Sequence, residues 1–553
     1  MCPFLRSKAD EEEIEPDGSI DLTGAELQAD EQDFDMDSVE EEEIEVWTDS
    51  KQKKIDAALL TFIISSLQNV SVVVSLRGLL ATHENYVIPE CEDIVERILP
   101  HMHNACFNEL KASIQEASSV CLSIEQWKNI ERENIISITA HYVNSEFELK
   151  SILLKCCEFY FYDAEESITF FKETCNEWDV LGKINGCLYN RNSKYSTNIK
   201  EALNLLGWDD YVCAAHKLNV ILKKSLELFK PILVKVKKVA DHFLNDSTSM
   251  SKLNFYHQTD EDEPQEIMDA LTREDITYEM IETFLELEDT IAAVLHENES
   301  LLFTDEDWSK LNQLFRLYEP LSEAIKQLGA GNKYVCSSII IPTINVLKNS
   351  LQAMDDSLNF EDVNEEIKCL MEILNKQFEE IESDPNLAMC TLLDPRYKMS
   401  KFKDRNAADA AKANLVAEVQ NLVNLNSISD SGKTESGEDN EGNVIPEKGL
   451  INDSEDILVV AQTETEQYIQ ADLTDLEPSI WWQNNQEKYP HIAQLFKTKC
   501  SIVATSLLSE YLFSEKNGFL VHNRKLLSPD IAKYLVFLKE NVKDDSDYFK
   551  FMP

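Results

Sequence analysis

Val120-Cys121-Leu122-Ser123-Ile124, then Ile135-Ile136-Ser137-Ile138-Thr139-Ala140-His141-Tyr142-Val143, then Leu149-Lys150-Ser151-Ile152-Leu153-Leu154-Lys155-Cys156-Cys157 are three short apolar runs rich in β-branched residues. Turn-like breaks separate them, so they predict three strands joined by consecutive hairpins. A helix is expected from about Glu165 to Asp179, and a further apolar stretch, Ile184 to Leu188, reads as a fourth strand. Three antiparallel strands, a helix and another strand make an α/β protein. Periodicity alone does not name its fold.

Upstream, Ile55, Leu59, Leu60, Phe62, Ile63, Leu67 and Val70 fall close to helical spacing, and a second helical stretch is expected between Asp93 and Ile114, broken at Pro100. Residues 1–50 hold 19 Asp or Glu against Arg6 and Lys8. They carry too little apolar surface to offset the entropy of ordering, which predicts a disordered acidic tail. Downstream of Leu226 the pattern is mainly helical, as in Phe284 to Leu295, Trp308 to Leu328, Ile339 to Leu351 and Ile367 to Ile381. Residues 430–476 add 13 acids against Lys433 and Lys448, and four of the 13 glycines fall between Gly432 and Gly449. That composition predicts a flexible acidic loop.

The formal net charge is -51, and the sequence between and beyond the two acidic stretches is still acidic. Such a surface repels phosphate, so DNA binding is expected to be weak or indirect. Basic clusters at Lys51 to Lys54 and Lys230 to Lys238 read as solvated helix faces. The 13 cysteines show no CxxC pair and no apolar leader precedes them, which favours free thiols in a reducing compartment. No run approaches the roughly 20 apolar residues of a membrane span, so no membrane association is expected.

The final part of the chain carries Trp481-Trp482, Tyr489-Pro490, Ala504-Thr505-Ser506, Ser509-Glu510, Phe513-Ser514, Arg524 with Leu527-Ser528, and Leu538-Lys539 with Asn541. In that order and spacing the string resembles the C-terminal dimerisation segment of hAT-superfamily transposases. Three internal motifs extend the resemblance: Leu122 to Trp127, Cys213 with His216 and Leu218-Asn219, and Leu393-Asp394-Pro395-Arg396 with Lys398. The resemblance implies an RNase H-like mixed sheet interrupted by a large all-helical insertion. Its domain plan would be an acidic tail (1–50), a helical region (51–118), the first part of the RNase H-like domain (119–225), the insertion (226–429), the acidic loop (430–476) and the C-terminal part with the dimerisation segment (477–543).

The family cuts DNA with a catalytic Asp, Asp and Glu. By the motifs these positions are Glu125, Asn190 and Glu510 here. Two divalent cations roughly 3.5–4 Å apart serve such chemistry, and magnesium demands oxygen ligands in strict geometry. Glu125 is one methylene too long, Asn190 has lost an anionic ligand, and Arg191 adds positive charge. The expectation is a degenerate site with no cofactor. Glu510 by itself reads as an ordinary helix residue rather than a working ligand, and Asp209-Asp210 as a solvated turn rather than a substitute ligand. Cys213 and His216 have metal-like spacing but no companion pair, so they are expected to stabilise the fold. The motif Thr272 to Tyr278 places Glu274 and Asp275 where relatives handle a DNA end. No zinc-finger pattern precedes Lys51, so relatives with a BED finger differ in having a DNA reader.

The expected function is therefore that of a domesticated, inactive transposase-like protein. It would act as a dimerising scaffold, a homodimer or a pair with a related hAT-like protein, in nuclear DNA- or chromatin-associated regulation. Trp481, Trp482, Phe513, Leu535, Phe537 and Leu538 are the interface candidates, with core as the alternative. Trp127, Cys213, His216, Asp394, Arg396 and Arg524 are the structural motif positions. The rival readings are an active metal-dependent transposase or nuclease, and an acidic tail that binds basic partners such as histones.

Overall fold

The computed structural model describes residues 39–80, 86–191, 193–256, 278–296, 298, 301–329, 335–431, 454–505, 523–542 and 545–553. Two units, Met1–Lys53 and Lys54–Pro553, are distinct. In the first, the described residues 39–53 are helical and form the opening turns of α1 (Val39–Ser65). The tail expected over 1–50 is thus helical from Val39 on, and residues 1–38 lie outside the described residues.

In the second unit, α1 buries Leu59, Leu60, Ile63 and Ile64, and α2 (Val72–Leu80) follows. A π-helical turn, Ile94–Ile98, leads into α3 (Leu99–Ser113). Pro100 lies directly after that π-helical turn, in a helical run continuous from Cys91 to Ser113, so the break the sequence suggested there is a local widening of the helix and not an interruption.

Five strands build the sheet: β1 (Val120–Lys128), β2 (Asn134–Val143), β3 (Leu149–Glu158), β4 (Ile184–Tyr189) and β5 (Asp209–Val212), in the order β3-β2-β1-β4-β5. β1 pairs antiparallel with β2 and β2 with β3, whereas β4 is parallel to both β1 and β5. The parallel neighbours need crossovers, supplied by α4 (Ala164–Glu177) and α5 (Ser196–Leu206). The Asp163 carboxylate caps α4 through the Glu166 N–H at 2.8 Å, and Gly207, with φ of +72°, ends α5 in the left-handed region. The three hairpin strands, α4 and β4 lie close to where the sequence placed them. The Asp209-Asp210 turn does not: these residues open β5. Gly186 of β4 makes that pairing possible, since a Cβ there would stand 2.6 Å from Asp209 O and from the Tyr211 ring.

From Ala214 the chain leaves the sheet through α6 (Ala214–Leu228), α7 (Lys230–Asn245), α8 (Ser247–Tyr256), α9 (Tyr278–Glu286), α10 (Glu288–Leu295), α11 (Asp305–Gly329), α12 (Ile340–Asp355) and α13 (Asn364–Gln377). This block has its own core around Leu218, Val236, Phe284, Leu311, Ile344 and Ile367.

The chain then returns to the sheet in α14 (Pro385–Leu393), α15 (Arg405–Ser431), α16 (Ser454–Gln470), α17 (Pro478–Asn485) and α18 (Pro490–Lys499). Residues 454–470 were expected to be loop on their acidic composition. They are helix because Ile457, Ala461 and Tyr468 bury one face, leaving most of the acids on the other. Residues 432–453 lie outside the described residues.

Strand alternation divides the cores: Val120, Leu122 and Ile124 face the side covered by α1, α3 and α4, while Cys121 faces the returning helices. The last α-helix among the described residues, α19 (Pro529–Asn541), lies against β3, the edge strand. There the Asn541 side chain accepts from Leu153 N at 2.8 Å and donates to Leu153 O at 3.0 Å, acting as one rung of a missing strand. No helix among the described residues is long and apolar enough to cross a membrane. The twelve described cysteines are free, and burial pushes the Cys121 and Cys175 thiols up to about 12, which leaves them unreactive.

Candidate functional site

Glu125 occupies the C-terminal half of β1, beside Ser137 of β2, with its side chain 7% exposed. Arg524, 6% exposed, meets it in two parallel hydrogen bonds: Nη2 to Oε1 at 2.8 Å and Nη1 to Oε2 at 3.2 Å. The guanidinium also stands 3.9 Å over the Trp127 ring. A buried carboxylate is tolerated here because a fixed, planar cation matches both of its oxygens. The pairing joins two motifs read separately in the sequence, one at the first strand and one near the C-terminus.

Asn190 follows β4, next to β1 in the sheet. Arg191 turns to β5, placing Nη2 3.0 Å from Asp210 Oδ2 and 3.2 Å from Asp210 O. Burial, reinforced by the nearby Asp210 charge, pushes the Tyr189 phenol well above its ordinary range. Glu125, Gln126, Asn190, Ser193 and His216 line a cavity of about 150 Å³. Ser193 Oγ donates to Gln126 Oε1 at 2.6 Å within it.

His216 thus reaches the site through α6, whereas Cys213 N-caps that helix and its Sγ stands 3.4 Å from Thr505 Oγ1. Glu510 and Phe513 lie outside the described residues, as does the motif from Thr272 to Thr277. Sequence reading missed Asp210 as a site residue because a four-residue strand gives almost no periodic signal; the adjacent Trp-Asp-Asp read as a turn.

The remaining motif residues form separate structural clusters. Asp394, fully buried, accepts from Ser338 Oγ at 2.7 Å and holds Arg396 through Nε at 2.9 Å and Nη2 at 2.7 Å. Lys398 donates to the carbonyls of Tyr468 and Ala471 at 2.9 and 2.5 Å, closing the C-terminal end of α16. Trp481 and Trp482 pack with Tyr468 and Tyr489 in one aromatic cluster. Leu535, Phe537 and Leu538 are buried around β3 and α3. These five interface candidates are buried within the single chain, Trp481 and Trp482 among the returning helices and Leu535, Phe537 and Leu538 on α19.

The donors described at this strand end do not suit a pair of divalent cations. Both Glu125 oxygens are engaged by a guanidinium, Asn190 is neutral, and Arg191 brings a second cation to the neighbouring strand end. Among the described residues, no three His, Cys, Asp or Glu side chains are grouped to hold a metal ion.

A five-stranded mixed sheet, entered and left through a long helical block, defines an α/β protein assembled from two segments of sheet-covering chain. Residues 460–542 match the hAT family C-terminal dimerisation region, and residues 211–317 match the ZBED1 RNase-like helical domain. The dimerisation match opens inside α16, earlier than residue 477, where the sequence reading began the C-terminal part. Two relatives are similar along most of this chain. Zinc finger BED domain-containing protein 4 of Homo sapiens is 21% identical over 524 residues, covering 89% of this chain and 44% of the relative. Zinc finger BED domain-containing protein DAYSLEEPER of Arabidopsis thaliana is 21% identical over 499 residues, covering 82% of this chain and 70% of the relative. The chain thus spans less than half the length of the human relative.

Proposed function

We propose that this chain is a domesticated hAT transposase-like protein that no longer cuts DNA and serves as a dimerising scaffold in nuclear, DNA- or chromatin-associated regulation. The observation that carries the loss of catalysis is the Arg524 clamp on Glu125. In an RNase H-like reading of the sheet, with strand order β3-β2-β1-β4-β5, Glu125 stands where the first metal-binding carboxylate is required. A carboxylate neutralised on both oxygens offers a divalent cation little, and the adjacent guanidinium repels it. Asn190 and Arg191 act in the same direction. The match to a dimerisation region supports the scaffold role, and the relatives named for BED fingers support a nuclear setting.

Purified full chain, incubated with magnesium or manganese and DNA carrying terminal repeats, is expected to leave the DNA intact. Metal-dependent nicking or joining that disappears in Glu510→Gln overturns this reading in favour of a working nuclease.

A further inference from the structure

The region matched to dimerisation, residues 460–542, keeps most of its large apolar side chains inside the fold. Among its described residues, those left at the surface are Leu473 (50% exposed), Leu476 (49%), Ile480 (47%) and Leu526 (41%). Three of the four lie within one eight-residue stretch between α16 and the first turn of α17. We propose that this ridge, Leu473, Leu476 and Ile480, is the surface on which a second copy of the chain docks. The inference rests on the dimerising reading above and gives it a location.

The ridge is held at both ends. On its N-terminal side Lys398, itself 2% exposed, donates to the carbonyls of Tyr468, Ala471 and Asp472 at 2.9, 2.5 and 3.3 Å. On its C-terminal side Trp481 and Trp482 anchor α17 in the aromatic cluster, 8% and 0% exposed. Between them the Thr474 hydroxyl accepts from Leu476 N at 3.1 Å. A surface fixed in this way loses little conformational freedom when it associates, and a few central apolar residues dominate most interfaces. The buried tryptophans thus act by positioning Leu476 and Ile480, without touching a partner themselves.

Charge decides what kind of test separates a second copy from another occupant. Asp472, Asp475 and Glu477 are exposed and interleave the three apolar residues. A two-fold contact is isologous, so each copy brings the same acidic fringe to the other. Like charges oppose that contact, and added salt screens them. Self-association through this ridge therefore tightens with ionic strength. A basic partner on the same ridge would bind more weakly as salt rises.

The test is light scattering of the full chain across micromolar concentrations at about 50 mM and about 500 mM sodium chloride. The expected result is a dimer whose Kd falls at the higher salt. Leu476→Asp with Ile480→Asp should raise Kd at least roughly tenfold with the thermal midpoint of the monomer, read at low protein concentration, unchanged, as befits exposed positions. If the Asp pair lowers that midpoint, Leu476→Ser with Ile480→Ser gives the reading instead. A wild-type dimer that survives both variant pairs places the interface elsewhere and leaves the dimerising reading standing. A dimer that loosens with salt also overturns the ridge. A chain that stays monomeric at both salts overturns the ridge and the dimerising reading together.

Discussion

Arg524 and Glu125, 399 positions apart in sequence, form a buried bidentate ion pair between the segment preceding α19 and the central strand. The contact ties the C-terminal segment to β1 and engages both oxygens of the Glu125 carboxylate.

Arg524→Met should destabilise the chain by about 3–5 kcal/mol, because it leaves the Glu125 carboxylate buried and uncompensated. The double variant Glu125→Leu with Arg524→Met should recover most of that loss, since it removes both charges together. Urea unfolding of the three proteins reads this directly. Equal destabilisation in single and double variants would show that the pair contributes nothing beyond packing.

How much of this was legible from sequence depends on the range of the interaction. The runs around Val120, Ile135 and Leu149 announced three strands because consecutive hairpins are local. The Glu125–Arg524 contact was not legible, because nothing in either motif specifies a partner 399 residues away. Residues 454–470 were misread for a different reason: net charge describes a segment, whereas helix formation there depends on the spacing of Ile457, Ala461 and Tyr468 on one face. The interface candidates stayed ambiguous between core and interface in the sequence, since a Trp suits both equally well, and the described ones are buried within the single chain.

Asn541→Leu should expose the edge of β3. The variant keeps the apolar bulk but leaves the Leu153 N–H and carbonyl without their partners, at a cost of about 1–3 kcal/mol for each buried group. Amide hydrogen exchange at Leu153 should accelerate before exchange elsewhere in the sheet. Unchanged protection at Leu153 would mean that another group satisfies this rung.

Lys398 carries a pH signature. Burial lowers its pKa to about 8, against 10.5 for an ordinary lysine. Between these values the unfolded chain binds more protons than the folded one, so the contribution of this group to stability rises with pH and is smallest below about pH 8. In Lys398→Met that rise should vanish, while stability at neutral pH falls through loss of the carbonyl contacts that close α16. Urea midpoints at several pH values between 7 and 10.5 compare the two slopes. Parallel curves for wild type and variant would assign the pH dependence to other groups.

Trp482→Ala separates a core role from an interface role. Trp482 is fully buried, stacked at 5.4 Å on Tyr468 and packed at 5.3 Å against Phe496. Truncation should cost about 3–5 kcal/mol and lower the thermal midpoint even at concentrations where the chain is monomeric. Any loss of dimer in this variant should follow the loss of fold, appearing as temperature rises and disappearing under stabilising conditions. Ile480, four positions after Leu476 and only two before Trp482, should behave oppositely: Ile480→Asp weakens association and leaves the monomer's midpoint in place. Scanning calorimetry at low and high protein concentration distinguishes the two. A Trp482→Ala protein that keeps its monomer midpoint but fails to dimerise would put this side chain at the interface after all, against the buried position it holds between Tyr468 and Phe496.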